Sequence, residues 1–410
     1  MKFTVDEIST LVKGFKYLYD KYEIDTGENL SIWEDPEIME YESHDEESQI
    51  YAPDEFDVIK YNTQDLLRYF PLIEGLKSDC VSAYSGHIRQ VILSISEWDL
   101  EKSQLFKYHY VDNLLKISFI SNPLLIGLVA VENGLYDDNY GVTPISFYTA
   151  AEIEYIGSER ISPENELELL KQILYTISVE KGISIEVGKF FSFDDIIDYE
   201  YDGDGVDENV ILTPHDLLSY NKSMDYYIKA LGIKDSTIKY LHFYKVIEYF
   251  SPIASKKVAY EQLNLRLDTL KVKNRDHKYL ESIFEISRNY DNSLRDKELT
   301  ATVLIECIDV AELFDLLPST LQHKISKKLK IQDIDKITSF PKPERDAIAR
   351  EIGIILYSTR NSIVHAKSNY TPTGNECAEG DLYELNIFMD RLCQCLILWN
   401  NRQPSEYKTQ

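Results

Sequence analysis

Glu344-Arg345-Asp346-Ala347-Ile348-Ala349-Arg350-Glu351-Ile352-Gly353-Ile354-Ile355-Leu356-Tyr357-Ser358-Thr359 runs straight into Arg360-Asn361-Ser362-Ile363-Val364-His365, and this stretch decides how the C-terminal half of the chain is read. Ile348, Ile352 and Ile355 recur at the steps of one helix face. Pro343 near the start suits a first helical turn, where a missing N–H loses no partner. The apolar stripe predicts a helix buried against neighbours, with Arg360 and His365 delivered at its far end. From Ile233 to Ile352 there is no glycine. A region without it is helical, because β-rich folds lean on glycine in their turns. Helices are predicted over Ser236–Phe250, Lys257–Leu270, Asp276–Tyr290 and Leu299–Leu317, the last stopped by Pro318, and Asp381–Asn401 closes the bundle.

If the helix continues through the motif, Asn361 and His365 share a face and Arg360 lies about 100° round from Asn361. An imidazole titrates near neutral pH and can take or give a proton. A guanidinium is a permanent, forked cation that holds a phosphate oxygen as charge builds on it. The pair suits scission of an RNA strand without a metal. On these residues alone another reading stays open, in which Arg360 and His365 serve the last carbonyls and the negative end of the helix dipole, with Asn361 as a cap.

The pattern resembles the HEPN domains, and within them the Apea-like branch: small helical bundles with Arg, a polar residue such as Asn, and His about five positions on, at the end of the third core helix. Arg360, Asn361 and His365 match it residue for residue, and the resemblance covers the C-terminal half only. It implies a metal-independent endoribonuclease leaving a 2′,3′-cyclic phosphate, with His365 as acid or base, Arg360 on the phosphate and Asn361 orienting one or the other. It also implies two copies meeting as a homodimer around one composite site, and a toxin or antiviral role. A polar residue on an earlier helix should face the site, and within Tyr244–Phe250 the candidate is Glu248. The alternative is a non-catalytic HEPN-like module that binds protein or nucleic acid.

Charge divides the chain in two. Its net charge is −27, but residues 1–220 hold 15 Lys and Arg against 44 Asp and Glu, whereas residues 221–410 hold 28 against 26. The acidic half repels free RNA at long range and suits a protein partner or trigger with a basic face. A solvated shield with no partner is the other reading. In His323–Lys330, the densest basic run, Lys324, Lys327, Lys328 and Lys330 could track an RNA backbone, or form a solvated helix face.

The N-terminal half reads as mixed α and β, giving an α+β chain with a domain over 1–210 and a helical bundle over 211–410. Phe3–Tyr22 has helical periodicity, Glu23–Asp57 reads as an acidic loop and Thr63–Lys77 as a helix. Strands are predicted at His87–Ser96, Leu115–Ile120, Val142–Ile156, Ile183–Val187 and Asn209–Leu212, and Pro123–Val131 reads as a strand buried on both faces. Ser162-Pro163 opens a helix to Glu180, and Thr213-Pro214 precedes another over Leu217–Leu231. There is no glycine-rich phosphate loop or nucleophile elbow. Asp198-x-Glu200-x-Asp202-Gly203-Asp204 has part of a calcium loop, but Asn209 stands where a bidentate Glu is needed.

With 44% apolar and 28% charged residues the composition is that of a globular protein. Five irregularly spaced cysteines argue against a disulfide framework, and Cys393-x-Cys395 reads as helix packing, not a zinc half-site. No apolar signal core or membrane-length run is present, so a cytoplasmic protein with no membrane partner, metal or cofactor is expected.

Overall fold

A computed structural model describes residues 3–22, 24, 47–51, 58–96, 105–135, 148–191, 209–268, 277–293, 296–331, 334–365, 371–404 and 407. The chain is mixed α/β, with an eight-stranded sheet in the N-terminal half and a helical C-terminal region. It divides into two units, Met1–Ile177 with Ile185–Leu217, and Ser178–Ser184 with Leu218–Gln410. Among the described residues no helix is long and apolar enough to cross a membrane.

In the first unit α1 (Val5–Tyr22) buries Leu11, Phe15, Leu18 and Tyr22 at helical spacing. Gly14 lies on the same face because a Cβ there would stand 2.0 Å from the Phe70 ring, which packs edge-on to Phe15. Strands β1 (Glu47–Tyr51) and β2 (Val58–Asn62) pair antiparallel, so the predicted Glu23–Asp57 loop contains a strand at Glu47–Tyr51. Apart from Ile24, the rest of that loop lies outside the described residues. The Asn62 side chain caps α2 (Thr63–Tyr69) by accepting from the Gln64 N–H at 2.9 Å. Pro71 then tightens the chain into a 3-10 turn, Phe70–Gly75, so the helix predicted to Lys77 is shorter.

The sheet is built from β3 (Lys77–Ser78), β4 (Ser82–Ser85), β5 (Ile88–Ile95), β6 (Tyr108–Val111), β7 (Leu115–Ser121), β8 (Thr149–Tyr155), β9 (Ile185–Val187) and β10 (Val210–Leu212). The order is β10-β6-β7-β8-β5-β4-β3, with β9 also on β5, and every pairing is antiparallel except β10 with β6. Residues 142–147 and 198–208, where a strand start and the acidic run were placed, lie outside the described residues.

Pro123–Val131 is a correction. It is not a strand but α3 (Leu124–Glu132), with Leu124 to Ala130 all buried. Burial on every side erases the periodicity that separates a helix from a strand. Pro123 offers no capping side chain. Gln90 of β5 supplies one, its Oε1 accepting from the N–H groups of Leu125 at 3.0 Å and Ile126 at 3.3 Å. The Gln90 amide in turn donates at 2.8 Å to Glu152, its cross-strand partner on β8, which also accepts from Tyr69 and Arg68, each at 2.5 Å. Glu152 is 3% exposed, and burial with its neighbouring charge pushes the Tyr69 phenol far above its ordinary range, keeping it a donor. Helix α4 (Pro163–Lys181) follows, with Ser162 accepting from Asn165 as predicted.

Still in the first unit, Thr213-Pro214 caps only a 3-10 turn, Pro214–Asp216, closed by Thr213 and Asp216 on each other, and the chain enters the second unit at Leu218. The helix placed at Leu217–Leu231 is α5 (Lys222–Leu231), which starts later, at its own cap Asn221. Two predicted helices are one: α6 runs from Ser236 to Leu267 through Pro252. Proline is tolerated there because the carbonyl it deprives, that of Glu248, lies with it on the exposed face of α6, where water can serve it. Then come α7 (His277–Ser293) and α8 (Asp296–Cys307). The helix predicted over Leu299–Leu317 breaks after Cys307, and Asp309 caps a separate 3-10 helix, Val310–Leu316. The bundle ends with α9 (Ser319–Leu329), α10 (Lys342–Val364) and α11 (Leu382–Asn401).

Helices α6 and α11 run parallel, with contacts that step along both: Asn386 donates to the Ser236 carbonyl, Cys393 to that of Phe243, and Trp399 meets Phe250 edge-on. Helix α10 buries Ile348, Ile352 and Ile355, as its stripe predicts. It approaches α8 so closely that a Cβ at Gly353 would lie 2.9 Å from the Ala301 Cα. Because that contact is with backbone, Gly353→Ala should push the helices apart and lower stability by about 1–3 kcal/mol. Denaturant unfolding of the two proteins would measure it.

Candidate functional site

Helix α10 carries the motif to its last turn, with His365 as the capping residue, φ −102° and ψ 11°, its N–H donating to the Asn361 carbonyl at 3.0 Å. His365 is exposed. Arg360 is 29% exposed, and its fork is engaged at both ends: Nη1 donates to Asn361 Oδ1 and Nη2 to Glu248 Oε1, each at 3.2 Å. Three of the four predicted residues, Arg360, Asn361 and Glu248, are therefore joined by direct bonds. Asn361 spends its side-chain oxygen on Arg360, where the sequence reading had it orient His365 or the phosphate.

Glu248 is the last member of a row on α6, Tyr240, Tyr244, Glu248, spaced by one turn. Tyr240 donates to the Leu356 carbonyl at 2.7 Å, and Tyr244 meets the Thr300 hydroxyl at 2.8 Å. Burial pushes the Tyr240 phenol well above its ordinary range, so it remains a donor. Tyr240 ties α6 to the turn before the motif, Tyr244 ties it to α8, and the third position places a carboxylate on Arg360.

Beside the motif, buried Thr359 donates to the Ile355 carbonyl at 2.8 Å and accepts from the Cys377 N–H at 2.9 Å, binding the returning chain to α10. Burial drives the Cys377 thiol up to about 12, so it is a packing group at neutral pH. Thr359→Val keeps the shape but strands the buried Cys377 N–H, which should cost about 1–3 kcal/mol, whereas Thr359→Ser should stay close to the parent. A pair of thermal melts would separate the two.

The four lysines of the basic run differ in their surroundings. Lys324 reaches across to the Gly374 carbonyl at 2.6 Å and the exposed Lys328 pairs with Glu351 at 2.6 Å, so both have partners within the chain. Lys327 and Lys330 are exposed, with Lys330 in a left-handed turn that ends α9. Among the described residues no three His, Cys, Asp or Glu side chains converge as metal ligands would. Cys393 is buried against the Phe243 carbonyl, as packing requires.

Sequence reasoning did not single out Tyr240 or Thr359. The spacing of Tyr240, Tyr244 and Glu248 is a signal that could have found the first, but nothing local marks Thr359, whose partner lies eighteen residues on. The chain matches no family model, and no curated protein or solved structure matches it.

Proposed function

We propose that the C-terminal helical unit cuts RNA without a metal, as a HEPN-type endoribonuclease. The observation that carries the reading is the end of α10, where a half-exposed Arg360 is held in place by Glu248 and Asn361 and an exposed imidazole follows one turn later. In the reaction the ribose 2′-oxygen attacks phosphorus, its proton passes to a base, the P–O5′ bond breaks and the leaving oxygen takes a proton from an acid. The products are a 2′,3′-cyclic phosphate and a 5′-hydroxyl. Arg360 binds the phosphate as negative charge grows on it, in exchange for its present carboxylate partner. His365 moves one of the two protons. Because the motif holds a single imidazole, the second proton is assigned to a second copy of the chain, in a homodimer formed through the helical unit.

The acidic N-terminal unit is then a regulator that keeps the nuclease off until a basic partner or other trigger engages it, which suits a toxin or antiviral effector. Wild-type protein incubated with total cellular RNA in EDTA should give fragments with cyclic phosphate ends. Intact RNA, both in that assay and after induced expression in cells, would overturn the reading.

One observation favours the rival, a non-catalytic binding module. The Arg360 charge is already met inside the chain. Under that reading His365→Ala leaves the biological activity of the protein unchanged.

A further inference from the structure

Between the buried residues Leu356 and Ser358, one turn ahead of Arg360 and Asn361, Tyr357 is half-exposed on the face of α10 that carries the motif. It has no hydrogen-bond, ring or ion-pair partner among the described residues. A rise of about 4.5–6 Å separates it along the helix from Arg360 and Asn361. Val364, 48% exposed, continues the same face one turn past Arg360. The guanidinium is thus flanked along α10 by an aromatic ring on one side and an aliphatic group on the other.

Resting on the ribonuclease reading, we propose that Tyr357 stacks on an unpaired base next to the phosphate held by Arg360. A paired base in an A-form helix has both faces covered by its neighbours, so only an unpaired or splayed base can meet the ring. Charge alone does not supply the binding. Residues 221–410 carry 28 basic against 26 acidic side chains, Lys324 and Lys328 already have partners within the chain, and Glu248 sits on Arg360. Stacking needs no such excess, because every base presents a π face whatever its sequence.

The test is binding of a fluorescent single-stranded oligoribonucleotide and of its duplex, measured in a His365→Ala background so that nothing is cut. Tyr357→Ala and Tyr357→Leu should weaken single-strand binding roughly ten-fold, whereas Tyr357→Phe, which keeps the ring, should bind as the parent does. The leucine variant keeps the apolar bulk, so a loss shared by alanine and leucine but not phenylalanine identifies stacking. The duplex should bind more weakly than the single strand and be indifferent to all three changes. Equal binding of the single strand by the parent and by Tyr357→Leu would overturn this inference and leave the nuclease reading standing, as would a duplex bound equally well. A change in sedimentation in place of RNA affinity would overturn it in favour of a protein contact. A parent that binds no RNA and a wild type that cuts none would overturn both.

Discussion

Purified His365→Ala protein is expected to cut RNA about 10²- to 10⁴-fold more slowly than the wild type at neutral pH, the contribution of one positioned acid or base. His365 is exposed at the end of α10, and its backbone N–H closes the last turn through the Asn361 carbonyl. Alanine preserves that backbone bond, so the helix end should survive. Arg360→Ala should cost about 10²- to 10³-fold, the range seen when one transition-state donor is removed. Folding should again be spared. The guanidinium it removes is paired with a Glu248 side chain that is 47% exposed, and ion pairs of that kind contribute about 0–1 kcal/mol. Arg360→Lys keeps the charge but not the fork, and should recover only part of the rate. Rates of cleavage of a short labelled RNA in EDTA, read beside thermal melts of the same preparations, decide the matter. Parent-like cleavage by His365→Ala would remove the imidazole from the reaction and leave the binding module in its place.

The second large effect belongs to the first unit and to stability. Arg68→Met should lower the stability of that unit by about 3–5 kcal/mol, because it leaves the buried Glu152 carboxylate without its cation. Glu152 is 3% exposed at its side chain, whereas Arg68 is 29% exposed and also reaches Glu154 at 3.2 Å, so the carboxylate bears the greater desolvation. Tyr69 and Gln90 would still donate to it, but two neutral donors do not replace a charge. The damage should spread to α3, since Gln90 both donates to Glu152 and caps that helix. Arg68→Met combined with Glu152→Gln removes both charges and should recover much of the loss, a non-additivity that a double-mutant cycle measures directly. Additive effects would show that Arg68 and Glu152 are not coupled. The expected fall in melting temperature for the single change is on the order of 10 °C.

The sequence by itself determined the stripe of α10, the helical character of a region that is free of glycine from Ile233 to Ile352, and the meeting of Arg360, Asn361 and His365 at one helix end. These depend on neighbours three and four residues apart, and such spacing is written in the chain. The helical reading also survived where it was drawn too short, because the exposed face of α6 accommodates Pro252 without a break. What required the tertiary structure was every pairing over a long separation. Tyr69 and Arg68 reach Glu152 across 83 and 84 residues, Gln90 caps α3 from 35 residues away, and Lys324 donates to a carbonyl 50 residues on. A uniformly apolar run such as Leu124–Ala130 has no preferred face, so local pattern could not tell helix from strand there. The surroundings settled it, by offering a side-chain oxygen to the first amides of a helix.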